Sequence, residues 1–173
     1  MGKPIIIGQS HNLVSIIHID RSKPFNPSFV GKGWTIWKGP VDGNGLEGPE
    51  DQDECSLALT KLDLMKVQFE TTLKKGEGYV NGEEKYKRLK KTGYIRLDAK
   101  IFQTLWENKT LILKSWKKGY TNYITFDGTV LRSPYGKRYV MYLMDWDYGE
   151  WNWYYDWLGY DLGAHDSSAV LAS

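Results

Sequence analysis

Residues 139–173 hold six carboxylates, Asp145, Asp147, Glu150, Asp156, Asp161 and Asp166, and no Lys or Arg. Pairs such as Asp145 and Glu150 are the raw material of glycosidase chemistry, where one carboxyl donates a proton and its neighbour acts as base or nucleophile. An acidic hairpin also produces such pairs by chance, so the spacing selects no mechanism. His165-Asp166 has the form of an imidazole oriented by a carboxylate; an ordinary surface pair explains the same residues. His11, His18 and His165 lie far apart, outside any metal-ligand spacing. No nucleophile elbow, P-loop or dinucleotide fingerprint occurs. Asp42-Gly-Asn44-Gly opens like a calcium loop, but Leu46 stands at position five and Asp53 replaces the Glu of position twelve. Glu47, Glu50, Asp51, Asp53 and Glu54 could hold a hard cation; keeping the loop hydrated is the simpler role. We therefore expect no catalytic set, no metal and no cofactor. The balance lies against an enzyme, with a hydrolase using a carboxylate site as the third hypothesis.

The densest feature is aromatic. Period-two alternation over residues 150–158 puts Trp151, Trp153, Tyr155 and Trp157 on one face of a strand, with Glu150, Asn152, Tyr154 and Asp156 on the other. Such a face is either the core side of a sheet or a platform for a ligand. The surrounding carboxylates disfavour a polyanion and suit a sugar hydroxyl or a basic peptide. We take Trp151, Trp153, Tyr155 and Trp157 as the candidate ligand-binding residues. A second patch holds Lys85, Lys87, Arg88, Lys90, Lys91 and Arg96, with Lys114, Lys117 and Lys118 downstream. Its alternative reading is a nucleic-acid contact through Lys87, Arg88, Lys90 and Lys91. A solvated helix face explains the same charges.

These residues need elements to hold them. Ile5–Ile7, Leu13–Ile19 and Trp34–Trp37 read as strands. The second has apolar residues on both faces, which predicts a strand buried on both sides. Residues 63–72 predict a strand with Met65, Val67 and Phe69 on one face. Asn81 as N-cap, Glu83 and Glu84 in the first turn and Gly93 as a C′ residue predict a helix over 82–92. Only Tyr86 and Leu89 are apolar there, so it is expected to be mostly solvated. Asp98 caps a second helix, whose face is Ile101, Phe102, Leu105 and Trp106, and Asn108 ends it. Beyond Tyr123–Phe126, Asp127-Gly128 is a type I′ hairpin signal, with Thr129–Leu131 returning. Ser133-Pro-Tyr-Gly136 turns again, Tyr139–Met144 is a strand, residues 145–149 turn, and Glu150–Leu158 is the last strand.

The expected fold is α+β: a C-terminal antiparallel β-meander packed against two short helices, with further N-terminal strands. A chain of 173 residues fits one domain; an internal boundary, if there is one, falls in the acidic Gly/Pro loop 39–54. The net charge of +2 conceals an asymmetry. Residues 1–60 carry five Lys/Arg against seven Asp/Glu, residues 61–138 eighteen against eight, and residues 139–173 none against six. A single cysteine, Cys55, excludes an intrachain disulfide and a Cys-based zinc site, and a reduced, buried thiol is its simplest expectation. No apolar run approaches the roughly 20 residues of a membrane helix, and no signal peptide shape is present. We expect a cytoplasmic protein without membrane contact.

Several strings recur together: Gly33-Trp-Thr-Ile-Trp-Lys-Gly-Pro40; Gly82-Glu-Glu-Lys85; Arg96-Leu-Asp-Ala-Lys-Ile-Phe-Gln-Thr-Leu-Trp-Glu-Asn108; Phe126-Asp-Gly-Thr-Val-Leu-Arg-Ser-Pro-Tyr-Gly136; and the ending Ser168-Ala-Val-Leu-Ala-Ser173. Over about residues 29–173 the chain resembles a group of small uncharacterised bacterial proteins, present in many copies in candidate-phylum genomes. The resemblance implies a bacterial source and a recurring module. It carries over no functional residue. The function expected from the residues is a non-catalytic binding module for a protein or peptide through an aromatic face, with nucleic-acid binding by the basic helix as the alternative. Neither composition nor spacing specifies the oligomeric state.

Overall fold

The computed structural model describes residues 14–39, 52–117, 122–145 and 149–173. The expected strand Ile5–Ile7, His11, most of the acidic loop and the centre of the turn after Asp145 lie outside the described residues.

The architecture is α+β. Strands β1 (Ile16–His18), β2 (Thr35–Ile36), β3 (Lys61–Asp63), β4 (Gln68–Glu70), β5 (Val80–Asn81) and β6 (Ile95–Arg96) precede a long C-terminal set. That set is β7 (Asn122–Arg132), β8 (Arg138–Asp145), β9 (Trp151–Trp157), β10 (Asp161–Leu162) and β11 (Asp166–Leu171). The helices are α1 (Glu54–Leu57), α2 (Gly82–Thr92) and α3 (Ala99–Glu107). The main sheet has seven strands, with the path β4-β11-β7-β8-β9 and with β2 on β7 and β6 on β11. β7, β8 and β9 form the antiparallel meander, and β11 returns parallel to β7. β1 with β3 and β5 with β10 make two small antiparallel ribbons.

Residues paired across a ladder share a face. Ile124, Leu143 and Trp153 form one row, and Thr125, Tyr142 and Tyr154 the next, pointing the opposite way. The first face packs with α3: Ile101, Phe102 and Leu105 join Ile124, Phe126, Met141, Leu143 and Trp151 in the main core. The second face meets α2, where Tyr86 packs with Val130, Val140, Leu158 and Trp37. The two helices therefore cover opposite sides of the meander.

Local signals explain both helices. The Asn81 side chain accepts from the Glu83 amide at 3.0 Å, and Gly93 closes α2 with φ 76°, a left-handed geometry open to glycine. The Asp98 carboxylate accepts from the amides of Lys100 and Ile101 at 2.8 and 3.1 Å, and Asn108 ends α3.

Four local expectations are corrected. Leu13–Ile19 is not a doubly buried strand: Ile17 and Ile19 are buried, whereas Val14 and Ile16 are exposed, because β1 pairs only with β3 at the periphery. Residues 63–72 are not one strand. Asp63 accepts from the Met65 amide at 3.0 Å, capping a 3-10 turn over Leu64–Lys66 that separates β3 from β4 and turns Met65 outward. Asp127-Gly128 is not a hairpin turn. β7 runs through it for 11 residues, with a register irregularity between Phe126 and Leu131. The glycine admits a second backbone instead: its N–H donates to the Leu97 carbonyl at 2.9 Å and its carbonyl accepts from the Asp53 amide at 2.8 Å. Cys55 is exposed rather than buried, two residues past the Asp53 cap of the short α1.

Candidate functional site

The alternation expected for β9 holds, and it determines what its rings touch. Trp151, Trp153, Tyr155 and Trp157 lie on the face toward α3 and the segment around residues 25–37. Trp151 is 6% exposed. The Trp153 ring sits 4.8 Å from Phe29, 6.1 Å from Phe102 and 6.4 Å from Trp106. Tyr155 packs on Trp34 at 4.7 Å and Tyr139 at 5.4 Å. Trp157 lies beside Tyr160 at 5.2 Å, and the Lys137 ammonium stands 4.3 Å from its ring centre. Trp151, Trp153 and Tyr155 brace β9 from behind, and Trp157 packs at its end beside Tyr160.

The basic helix divides. Arg88 is paired, with Glu77 at 2.6 and 3.0 Å and Glu84 at 2.9 Å. Hydrogen bonding to Arg88, and then to the Lys74 amide, holds the Glu77 carboxyl down at about 2. Lys87, Lys90 and Lys91 are exposed, and the Lys90 ammonium lies 5.6 Å from the Tyr86 ring. Of the acidic loop, Asp53 caps α1 and also binds Arg96, at 3.0 Å through its amide and 3.3 Å through its guanidinium. Among the described residues no group of three His, Cys, Asp or Glu could hold a metal ion, and no helix is long and apolar enough to cross a membrane.

The opposite face of the meander brings other residues together. In successive rows of this face stand Asp166, Tyr123 and Met144, then Ser168, Thr125, Tyr142 and Tyr154, then Val140 and Asp156. The short ribbon β5–β10 adds Asp161 and Leu162 beside them. Of these, Tyr123, Tyr142, Asp156, Asp161, Leu162 and Asp166, together with Tyr160, line a cleft of about 270 Å3. Among the described residues, three carboxylates and three phenols line it, with no cationic side chain.

A cation lies beneath it. Lys85, 1% exposed, donates to the Asp166 carbonyl at 2.9 Å and to Thr125 Oγ1 at 3.4 Å. Thr125 in turn donates to Asp127 Oδ2 at 2.6 Å and meets Ser168 Oγ at 3.1 Å. Burial pushes the Lys85 ammonium below its ordinary value, opposed first by Asp127 and then by Asp166 and Asp156. The Asp156 carboxyl is raised to about 6, first by burial and then by the charge of Asp166, with Lys85 opposing. Burial likewise lifts the Tyr142 phenol to about 12, so at neutral pH its hydroxyl is a donor.

A raised carboxyl pKa has a defined sign in stability. The folded chain holds the Asp156 proton more tightly than the unfolded chain. This contribution is present at low pH and is lost as pH rises from the ordinary carboxylate range through about 6. Asp156→Asn removes a charge that is costly above that window. It is expected to stabilise the fold by about 1–2 kcal/mol at pH 7, after discounting for solvent screening, and to change it little at pH 4. Urea melts at both pH values check this; equal effects at the two would count against the strained carboxylate.

Tyr154, half exposed, stacks on Tyr155 with centroids 4.2 Å apart and planes 17° off parallel. Adjacent strand residues point to opposite faces, so these rings meet only by curling around the outer edge of β9. That edge pairs with no strand among the described residues, and the stacked phenols cover it.

Alternation had placed Tyr154 and Asp156 together, on the side away from the indoles. Asp161 and Asp166 join them only through β10 and β11, which carry no alternating apolar signal. Comparison with protein-family models, with curated proteins and with solved structures returns no match for this chain.

Proposed function

We propose that this protein is a non-catalytic binding module that accepts a cationic side chain, arginine or lysine, presented by a protein or peptide. One observation carries the proposal: a tyrosine-walled cleft that, among the described residues, is lined by three carboxylates and no cation. Aromatic faces attract cations through the ring quadrupole, and a guanidinium can bridge two carboxylates while stacking on a phenol. The neutral Tyr142 hydroxyl adds a donor for a backbone carbonyl of the partner. Trp151, Trp153, Tyr155 and Trp157 serve by holding β9 rigid behind the cleft. Because Tyr154 and Tyr155 cap the strand edge, recognition belongs to the cleft rather than to strand addition. A cytoplasmic setting goes with this reading, since Cys55 stands exposed and unpaired, as reducing compartments keep thiols.

Binding a cation requires Asp156 ionised. Affinity for an arginine-containing peptide is therefore expected to be full above about pH 6 and to fall as pH drops below it, with proton release on binding near pH 6. Fluorescence polarisation with arginine peptides and their citrulline counterparts is the test. Arginine should win by roughly tenfold or more, and Asp156→Asn should erase that preference. Equal affinity for the two peptides would remove the proposal.

A second reading rests on Asp156 retaining its proton toward neutral pH beside Asp166. That is the pairing a hydrolase uses for acid catalysis. Its pH dependence is opposite, because a general acid works below about 6, where Asp156 is protonated. Hydrolysis of aryl glycosides that rises toward pH 5 and disappears in Asp156→Asn would favour it.

A further inference from the structure

Beyond the cleft, a groove of about 650 Å3 opens at the other end of the sheet. One wall is Leu64, Met65, Val67 and Phe69; the other is residues 110–116, which contain the 3-10 turn Lys114–Trp116. Phe69 and Trp116 meet edge to face at 5.2 Å. Met65 and Val14 are 73% and 65% exposed at its rim, an unusual display for apolar side chains of this size. Its volume lies within the roughly 300–1,000 Å3 of sites that hold small organic ligands.

We propose that this groove binds a free long-chain carboxylate, with the acyl chain along the apolar walls and the head group at Lys114. Among the described residues Lys114 is the one charged residue of the lining, and none of them that lines it is acidic. An anionic head therefore finds a partner, and a cationic head meets like charge. Among the described residues, the polar side chains of the lining other than Lys114 are those of Thr110 and Ser115. A peptide laid in the groove would bring a row of amides and carbonyls with few partners, whereas an acyl chain brings none. Met65, an unbranched and adaptable side chain, suits a ligand of variable length.

Isothermal titration with dodecanoate, below its micellar concentration, tests the proposal against dodecylammonium, which has the same chain and the opposite head. Dodecanoate is expected to bind at least tenfold more tightly, and Lys114→Glu to reverse the order. Decanoate, two methylenes shorter, should bind roughly tenfold more weakly. Met65→Asp, at an exposed position where the melting curve is expected to stay unchanged, should abolish binding. Four results would overturn the site: equal affinity for both heads, affinity independent of chain length, uptake only from oleate-containing vesicles, or a ligand-free dimer whose contact buries Met65. None of these depends on the acidic cleft, so its fate and that of the groove are read separately.

Discussion

Gly128→Ala is expected to destabilise the protein by on the order of 3 kcal/mol, lowering the thermal midpoint by roughly 10 °C. A methyl group on Gly128 would stand 2.2 Å from the Arg96 carbonyl oxygen, 2.7 Å from the Leu97 carbonyl carbon and 2.8 Å from the Asp98 amide. All three obstacles are backbone, so no rotamer change relieves the clash. The segment 96–98 cannot retreat cheaply. The Leu97 carbonyl receives the Gly128 amide, and the Leu97 amide donates to the Ala169 carbonyl at 3.0 Å. Retreat would also drag the Asp98 cap from α3. Chemical denaturation of the variant checks this, and a loss below about 1 kcal/mol would show that the two backbones do not press together.

Asp98→Ala is expected to cost about 4–6 kcal/mol, by two additive routes. Asp98 is fully buried and accepts two bonds from Arg21, at 3.1 and 2.9 Å, and one from the Ser56 hydroxyl at 2.6 Å. Removing it strands a partly buried guanidinium, a loss of about 3–5 kcal/mol in comparable sites. It also uncaps α3, a further loss of about 1 kcal/mol. The double variant Arg21→Met, Asp98→Ala should recover part of the loss, because no charge is then left without its partner. Urea melts of the single and double variants measure the coupling; strict additivity would mean that Arg21 finds water as readily as it finds Asp98.

Both positions illustrate what could be read ahead of the structure. Asp98 was legible as a cap because capping is a contact between neighbours in sequence. Its bonds to Arg21 and Ser56 were not, since they span 77 and 42 residues. Asp127-Gly128 carried a strong local signal that non-local packing put to a different use. Glycine serves a tight turn and a close backbone approach equally well, and only the presence of segment 96–98 selects between them. Lys85 read as one more charge on a wet helix. It is buried because α2 lies on the tyrosine face of the sheet, where Thr125 and the Asp166 carbonyl accept from it. β11 gives no strand signal in the sequence, because Ser167-Ser168-Ala169-Val170, buried on both faces, carries no alternation.

The chain alone determined the α+β class, the spans and caps of α2 and α3, and the side of β9 on which each ring stands. These follow from interactions within a few residues and from the two-residue period of a strand. The tertiary structure alone decided which aromatic face is spent on the core, which carboxylates converge and which lysine is desolvated. Strand order brings β11 next to β7 from more than 30 residues away. No local propensity encodes that closure, because what stabilises it is the burial completed by both partners together.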